Sequence, residues 1–388
     1  MIDPQALCLH CCLPRRRAGG CRDCGAEAPG LPVEATSTEL APGTVLNKKY
    51  VVGRVLGAGG NGVTYLAATL DKGERRAIKE HVPKDLATRS KDGHTVVPLK
   101  DTTQGEIDEE RGKFRKEGDR LVRFAGHPRI VRVFETFEEH GTAYLVMDFV
   151  PGSTLGDRLR EHRGAFREPE AVGWAIELCA AVQEVHARGL IHRDIKPSNA
   201  LVADTGTLML IDFGNARETH TKRGHTRVWT DGFAPPEQIL GHDTQGPWTD
   251  VYGIGATLYA MLLGEAPPYA ERRGTDGLPK LGAAVKRGRM RQETAVLIQA
   301  ALALDPKHRP QSAEEVLANL QALYPSANAP KPPLPPDPVP LPDPVPPPDP
   351  VPPPNPDPTP ISRDRLVTLA IIVALGLLWT LGVYVAID

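Results

Sequence analysis

The stretch Ile191–Gly214, which reads IHRDIKPSNALVADTGTLMLIDFG, constrains the fold of this chain more than any other. Within it, the short apolar runs Leu201–Val202 and Leu208–Ile211 flank the turn residues Asp204–Gly206. Apolar runs separated by turn-forming residues predict a β-hairpin, whose two open ends lie side by side. Polar residues on either side of the hairpin are therefore expected to meet in one place.

The residues that would meet there carry charged and amide groups. They are Asp194, Lys196 and Asn199 before the hairpin and Asp212 after it. Carboxylates together with phosphate oxygens are typical ligands of Mg²⁺ in phosphate-transferring sites. Two carboxylates, an amide and an ammonium group in one cleft therefore suit a metal-bound polyphosphate and an acceptor hydroxyl.

The spacing H-R-D-x-K-x-x-N followed by D-F-G resembles the catalytic signature of eukaryotic-type, bacterial Hanks-type protein kinases. By that resemblance, Asp194 orients the attacking hydroxyl and accepts its proton, while Asn199 and Asp212 hold the Mg²⁺ ions that bridge the phosphates. Lys196 would neutralise charge on the γ-phosphoryl group. Its position, two residues after Asp194, is similar to that of the corresponding lysine in serine/threonine kinases. The resemblance implies an α+β, bilobal kinase fold with a small β-rich N-lobe and a larger helical C-lobe.

A glycine-rich turn between two predicted strands lies nearer the N-terminus. Gly57, Gly59 and Gly62 follow the pattern G-x-G-x-x-G in VVGRVLGAGGNGVTYLAATL. Glycine lets backbone N–H groups approach phosphate oxygens without interference from a Cβ atom. A dinucleotide-binding turn matches the same pattern, but a helix follows it there, whereas here the continuation is strand-like.

The kinase resemblance extends to further nucleotide-binding residues. Lys79, in Ala77-Ile78-Lys79, is similar to the lysine that grips the α- and β-phosphates and pairs with a helix glutamate. We expect that glutamate to be Glu117, in an amphipathic helix over residues 114–124. The other residues implied around the nucleotide are Leu56, Thr64, Ala77, Met147 as gatekeeper, Asp148 and Val150 of the hinge, and Leu201.

The polar segment after Asp212 resembles an activation segment that ends at Glu237, in A-P-P-E rather than the more common A-P-E. Thr230 stands where serine/threonine kinases keep a threonine bonded to the catalytic aspartate and lysine. Asp250 is implied to anchor the catalytic-loop backbone, and Arg309 is implied to pair with Glu237. We expect autophosphorylation at one of three residues, Thr219, Thr221 or Thr226.

Residues 80–112 form an insert that is longer than kinases usually need. It resembles an insert in a subgroup of bacterial serine/threonine kinases, and we expect a surface hairpin there.

Five of the six cysteines precede residue 25. Four of them form two C-x-x-C pairs, Cys8 with Cys11 and Cys21 with Cys24. Two such pairs bring four thiolates within tetrahedral reach of one Zn²⁺. We predict a minimal zinc-knuckle module without a core of its own, folded mainly by its metal. As zinc ligands, Cys12 can replace Cys11, and His10 can replace one of the thiolates. The other interpretation of these cysteines is a set of free or redox-active thiols.

Composition excludes some classes of protein. Lys and Arg total 46 against 48 Asp and Glu, a formal net charge of −2, which gives no reason to expect nucleic-acid binding. Cysteines gathered near the N-terminus favour a reducing compartment over a secreted disulfide scaffold. The N-terminal residues also lack the apolar core of a signal peptide.

The amino-acid composition changes twice in the C-terminal part of the chain. Residues 325–362 repeat an Asp-Pro unit, a composition that favours polyproline II and predicts a stiff spacer rather than a ligand for SH3-like domains. Residues 366–387 carry no charge, and such a helix is long enough to span about 30 Å of hydrocarbon. Arg363 and Arg365 precede it, so the positive-inside rule predicts a single-pass inner (plasma) membrane protein whose kinase domain faces the cytoplasm.

The predicted organisation follows from these segments. It comprises a zinc-knuckle module at 1–30, a linker at 31–44, a kinase domain at 45–324 with its N-lobe at 45–150 and C-lobe at 151–324, a proline-rich linker at 325–362 and a transmembrane helix at 366–387. The predicted function is phosphorylation of protein serine and threonine hydroxyls by ATP, with Mg²⁺ as cofactor, structural Zn²⁺, protein substrates and a membrane as partners. A homodimer is compatible with this organisation. The alternatives are a pseudokinase scaffold and a zinc-knuckle binding module at the membrane.

Overall fold

A computed structural model describes residues 2–14, 21–26, 39–122, 127–162, 164–213, 217–218, 230–240, 245–273 and 277–325. The candidate phosphorylation sites Thr219, Thr221 and Thr226, the proline-rich linker after residue 325 and the predicted transmembrane helix at 366–387 lie outside these ranges. Within them, no helix combines the length and the apolar character needed to cross a bilayer.

Most strands lie in the first half of the chain and most helices in the second. The strands are β1 Val45–Leu46, β2 Tyr50–Ala58, β3 Gly62–Thr69, β4 Arg75–His81, β5 Ala87–Arg89, β6 Val96–Pro98, β7 Val133–Glu139, β8 Thr142–Asp148, β9 Gly152–Thr154, β10 Leu190–Ile191, β11 Ala200–Ala203, β12 Leu208–Leu210 and β13 Arg217–Glu218. The helices are α1 Gln104–Leu121, α2 Leu155–Glu161, α3 Glu168–Ala187, α4 Pro236–Ile239, α5 Pro247–Leu263, α6 Pro279–Lys286, α7 Gln292–Ala301 and α8 Ala313–Leu323.

An antiparallel sheet of order β1-β2-β3-β4-β8-β7 forms the N-lobe. Its central strands are rich in β-branched and aromatic residues, and side chains alternate between the two faces along each strand. On β3, Tyr65 and Ala67 point to one face, which is closed by Leu40 and Tyr144. Leu66 points to the other face, and Lys79 on β4 points to that same face.

The N-terminal module, residues 2–14 and 21–26, packs directly on this second face of the sheet. Leu7 and Cys12 form a buried cluster with Val51, Leu66 and Ala68, and each of these side chains is at most 2% exposed. The segment therefore shares a core with the N-lobe. The sequence predicts a module without a core of its own, because nothing local to the cysteines indicates a distant packing partner.

The insert forms the β5–β6 hairpin that the sequence predicts, but the helix after it differs from the prediction. Helix α1 begins at Gln104 rather than at 114, after a capping box in which Thr103 and Glu106 bond reciprocally to each other's backbone N–H. Only Ile107 is buried in the first two turns, so apolar periodicity gives little sign of this part of the helix.

The hairpin is also less superficial than expected. Arg89 donates to the carboxylate of Glu80 at 2.5 Å, and Glu80 is fully buried. The hydroxyl groups of Tyr65 and Tyr144 donate to the same carboxylate, each at 2.8 Å. The insert is thereby joined to the sheet through a buried, charged hydrogen-bond network.

Helices α3 and α5 pack against each other at the centre of the C-lobe. Both are buried along most of their length, which explains their nearly continuous apolar composition. The β11–β12 hairpin lies on α3 and pairs with β9, and it forms over the residues that the sequence analysis assigned to it. This hairpin delivers the polar residues at its two ends to the cleft beneath the N-lobe sheet.

Candidate active site

A cleft of about 700 Å³ lies between the N-lobe sheet and the β11–β12 hairpin. Its volume is within the range of small-molecule and cofactor sites. All but one of the residues predicted to bind nucleotide or act in catalysis line it. They are Leu56, Gly57, Gly59, Gly62, Thr64, Ala77, Lys79, Met147, Asp148, Val150, Asp194, Lys196, Asn199, Leu201, Asp212 and Thr230.

The glycine-rich turn joins β2 to β3 at the roof of this cleft. Gly62 has a φ of +154°, and a Cβ atom there would lie 1.9 Å from the carbonyl oxygen of Glu80, so packing requires glycine. At Gly57 and Gly59, in contrast, an added Cβ would have no protein atom within 4 Å. The backbone at these two positions therefore faces open space, as a phosphate-binding loop requires.

The tip of the glycine turn is tied to the beginning of the insert. The backbone N–H of Lys84 donates to the carbonyl oxygen of Gly60 at 2.9 Å, and the backbone N–H of Val82 donates to the carbonyl oxygen of Asn61 at 3.2 Å. These bonds fix the tip relative to β4.

Asp194 is held by several hydrogen bonds within the cleft. Its Oδ2 accepts from Lys196 Nζ at 2.8 Å and from Asn199 Nδ2 at 2.9 Å, and its Oδ1 accepts from Thr230 Oγ1 at 3.1 Å. Lys196 Nζ also donates to Thr230 Oγ1 at 2.8 Å. The side chain that the sequence identified as the base is thus held in one orientation by three groups.

The amide nitrogen and the amide oxygen of the Asn199 side chain face different surroundings. Its Nδ2 also donates to the carbonyl oxygen of Asp194 at 2.9 Å, which fixes the amide plane. With Nδ2 committed in this way, Oδ1 is the atom that a hard cation would coordinate. The carboxylate of Asp212 lines the same cleft and is 38% exposed, so the pair offers oxygen ligands suited to Mg²⁺.

The predicted ion pair of Lys79 with Glu117 is not formed. Lys79 Nζ bonds instead to Asp212 Oδ1, and that carboxylate raises the pKa of Lys79 even though burial opposes this. Glu117 lies in an adjoining recess that is also lined by Phe114, Leu121 and Leu145. Burial among these apolar groups raises the pKa of Glu117 well above its usual value and so weakens the charge that an ion pair needs.

Two of the six described non-glycine residues with positive φ flank the hairpin. Arg193 and Asp212 adopt φ values of +66° and +60°, a region that residues with a Cβ atom seldom occupy. Asp250 stabilises the first of these positions, because its carboxylate accepts from the backbone N–H groups of His192 and Arg193 at 2.8 and 2.7 Å. His186 Nε2 lies 2.8 Å from the same carboxylate.

Two further contacts brace the floor of the cleft. Arg309 forms a bidentate ion pair with Glu237, with N–O distances of 2.7 and 3.0 Å, and both residues are buried. His192 and Phe213 have ring centroids 4.6 Å apart, so the catalytic loop packs on the residue that follows Asp212. These placements agree with the structural roles that the kinase resemblance implies.

Several residues that line the cleft were not identified from the sequence. Among them are Val131, Thr154, Asp157, Arg160, Ser198 and Ile211. Ile211 directly precedes Asp212, so its position next to the D-F-G motif is a signal that could have identified it. Val131, Asp157 and Arg160 belong to segments without a distinctive pattern, and only the tertiary fold brings them to the cleft.

The N-terminal module gathers four thiols at a second site. The Sγ atoms of Cys8, Cys11, Cys21 and Cys24 all lie within 4.8 Å of one another, and two of the separations are 3.7 Å. A tetrahedral site with Zn–S bonds of about 2.3 Å has S–S edges of about 3.8 Å, so this spacing fits zinc. Cys12 is not part of the cluster: it is buried in the N-lobe contact, and burial raises its thiol pKa to about 12.

Comparisons with known proteins agree with this geometry. A family model described as the protein kinase domain matches residues 50–320. The chain is 33% identical over 250 residues to mitogen-activated protein kinase kinase kinase 3 of Arabidopsis thaliana, covering 63% of this chain and 34% of that protein. It is 28% identical over 239 residues to CBL-interacting serine/threonine-protein kinase 7 of the same plant, covering 61% of this chain and 51% of the relative. The chain thus spans between a third and about half of the length of these curated relatives.

A solved structure described as the apo form of PpkA-294 is similar as well. It has 30% sequence identity and a TM-score of 0.60, and the match covers 73% of this chain and 100% of that one.

Proposed function

Because this chain belongs to the protein kinase family and its kinase domain is of the serine/threonine class, we propose that the whole protein transfers the γ-phosphoryl group of ATP to serine or threonine hydroxyls of proteins. The observation that carries this proposal is the hydrogen-bonded group of Asp194, Lys196 and Thr230 facing the same cleft as the glycine-rich turn. The same cleft therefore offers a place for the nucleotide phosphates and for the acceptor hydroxyl.

The residues divide the chemistry between them. Asp194 orients the acceptor hydroxyl and takes its proton as the oxygen bonds to the γ-phosphorus, while the bond from that phosphorus to the β–γ bridging oxygen breaks and ADP leaves. Lys196 neutralises charge on the transferred group, and Lys79 holds the α- and β-phosphates once it is released from Asp212. Catalysis of this kind depends mainly on positioning and electrostatic stabilisation.

Asn199 and Asp212 are the proposed Mg²⁺ ligands, and both supply oxygen atoms to the cleft. When bound, Mg²⁺ supplies charge neutralisation for the β- and γ-phosphate oxygens. To hold the metal, Asp212 would give up its contact with Lys79. Glu117 lines the same recess as Lys79 and would then be available to it, so the expected pair belongs to the nucleotide-bound form in this proposal.

A labelled-ATP transfer assay with the full chain tests the proposed activity. Replacement of Asp194 by Asn should lower turnover about 10²–10⁴-fold, the usual contribution of a positioned base. Asp204→Asn is the matched control, because Asp204 is an exposed residue in the turn of the same hairpin. Equal phosphate incorporation by wild type and Asp194→Asn would refute the proposal and favour a pseudokinase scaffold.

A structural Zn²⁺ bound by Cys8, Cys11, Cys21 and Cys24 is part of the proposal. The four-thiol geometry supports it, and the burial of Cys12 away from the cluster favours Cys11 as the ligand. The purified full chain should contain about one zinc per molecule, and Cys8→Ser should lose it while Cys12→Ser retains it. Wild-type protein without zinc after purification in metal-replete medium would contradict this site.

Autophosphorylation at Thr219, Thr221 or Thr226 is also proposed. Arg193 precedes the catalytic aspartate and is the cation with which a phosphate in this segment would pair. Mass spectrometry of active wild type should find phosphate on at least one of the three threonines, and Asp194→Asn should carry none. An active preparation without phosphate on any of them would exclude the proposal.

Tethering to the inner (plasma) membrane with a cytoplasmic kinase domain is proposed from the sequence alone. The uncharged run at 366–387, preceded by Arg363 and Arg365, supports it. Leu375→Lys should move the protein from the membrane to the supernatant fraction, whereas Leu375→Ile should not. Recovery of wild type in the supernatant without detergent would contradict the anchor.

A further inference from the structure

The N-terminal module is bound closely to the N-lobe sheet. The amide of Ile2 donates to the carbonyl of Leu70 at 2.7 Å, which ties the start of the module to the end of β3. Leu7 and Cys12 are 2% and 1% exposed, and they cover Leu66 of the central strand. The contact is therefore a continuous apolar core with a hydrogen bond at its edge.

Gly53 on β2 is a position at which the two parts approach closely. A Cβ atom at this position would lie 2.6 Å from Cys12 Sγ and 2.6 Å from the carbonyl oxygen of Leu9. No side chain fits between the strand and the module at this distance. Glycine at 53 thus permits the docking, and its replacement offers a way to disturb docking without touching a thiol of the cluster.

The docked surface is continuous with the roof of the nucleotide cleft. Thr64, Leu66 and Ala68 alternate along β3 and therefore share one face of the sheet. Thr64 lines the cleft, while Leu66 and Ala68 lie under the module. The same face is thus covered by the module at one end and open to the cleft at the other.

Two side chains belong to both regions. Leu56, just before the glycine-rich turn, and Phe149 of the hinge line the cleft and also pack against the cluster formed with the module. They would border the adenine end of a nucleotide placed between the glycine turn and the hinge. Any displacement of the module therefore removes support from two walls of the nucleotide site.

The four thiols are placed to control this docking. Cys8 and Cys11 lie in the short loop that also carries Leu7 and Cys12, and the amide of Cys12 donates to the carbonyl of Cys8 at 2.7 Å. A metal held jointly with Cys21 and Cys24 cross-links this loop to the second pair of cysteines. Small metal sites of this kind are commonly unfolded without their ion, because the metal supplies most of their folding free energy.

We propose that occupancy of the four-cysteine site sets the affinity of the kinase cleft for nucleotide, through Leu56 and Phe149. This inference rests on the proposed zinc site and on the proposed ATP binding. The module then acts as an internal regulatory subsite in which zinc loading favours the nucleotide-binding arrangement of the N-lobe. By linkage, nucleotide strengthens zinc retention by the same factor.

Binding of MgADP to the full-length protein, measured by calorimetry, tests the coupling. The variants are Cys8→Ser/Cys11→Ser, which removes two ligands, and Gly53→Val, which blocks docking while all four thiols remain. The control is Arg22→Ala, an exposed residue between Cys21 and Cys24. We expect Kd for MgADP to rise about 5-fold or more in both test variants, because about 5-fold is the lower end of the coupling measured between linked sites. Kd should stay unchanged in the control.

Zinc content and amide hydrogen exchange give readouts that do not depend on transfer activity. Gly53→Val should retain zinc yet show faster exchange at Val51 and Leu66. The serine variant should lack zinc and show the same faster exchange. Unchanged Kd in a folded, zinc-free serine variant would overturn the coupling. If wild type binds no MgADP, the proposed function and the coupling both fail, while zinc-dependent exchange at Leu66 would still report docking by itself.

Discussion

Lys79 is paired with Asp212 in this structure, and Glu117 stands beside the pair without forming an ion pair with it. The arrangement joins the phosphate-gripping lysine to a proposed metal ligand across the cleft. In the proposed mechanism, nucleotide binding replaces the contact of Lys79 with Asp212 by contacts with the phosphates.

Replacement of Lys79 by Met should lower kcat/KM for ATP about 10²–10³-fold, because a fixed cationic donor to the phosphates is lost. Steady-state kinetics with varied ATP measure this effect. Lys72→Met, in the exposed turn between β3 and β4, is the control and should leave both constants unchanged. A Lys79→Met enzyme with normal kcat/KM would show that the lysine does not contact ATP.

The raised pKa of Glu117 predicts a pH-dependent stability. A carboxyl group whose pKa is higher in the folded state than in the unfolded state binds more protons when folded, so stability falls as pH rises above the unfolded value of 4.5. Glu117→Gln removes this contribution. The difference in Tm between variant and wild type should therefore grow in favour of the variant from pH 5 to pH 8.

Scanning calorimetry across that range, without nucleotide, checks the sign of the effect. Glu109→Gln is the control, because Glu109 is an exposed carboxyl group on the same helix. A constant Tm difference for Glu117→Gln would mean that this carboxyl titrates alike in the folded and unfolded states.

Thr230 should contribute through its hydroxyl group. Thr230→Ala removes the donor to Asp194 and the acceptor of Lys196, and loss of a hydrogen bond worth about 1 kcal/mol lowers kcat about 5-fold. Thr230→Ser keeps the hydroxyl and should restore most of the rate. If serine were as slow as alanine at 230, the methyl group rather than the hydrogen bonds would explain the effect.

The buried pair of Glu80 and Arg89 should be important for stability. Arg89→Met leaves a buried carboxylate without its cation, which typically costs about 3–5 kcal/mol in the free energy of unfolding. Urea denaturation of the full chain measures this loss. Arg115→Met breaks an exposed pair with Glu138 and should cause no measurable change, and equal stability of the two variants would refute the prediction.

Local sequence patterns predict the centre of this molecule well. The hairpin and its flanking polar residues depend on contacts within a short stretch, so the convergence of Asp194 and Asp212 on one cleft follows from residues close in sequence. His140 and Gly141, which separate β7 from β8, both have positive φ, as the two central residues of a type I′ hairpin turn do.

The features that the sequence did not reveal all depend on distant contacts. The partner of Lys79 is Asp212 rather than Glu117, a choice between distant residues that no local pattern expresses. Arg89 looks like a surface residue of the insert until the fold places it on Glu80. Gly53 lies in an unremarkable strand, and only its approach to Cys12 explains why glycine is found there.

The covering of the N-lobe sheet by the N-terminal module has a practical consequence for recombinant work. A fragment trimmed to the matched residues 50–320 would strip away Leu7, Cys12 and Leu46, all at most 2% exposed in the folded chain. It would leave Val51 and Leu66 facing water as part of an apolar patch, and such patches favour aggregation. Expression should therefore begin at the first residue, with zinc in the medium.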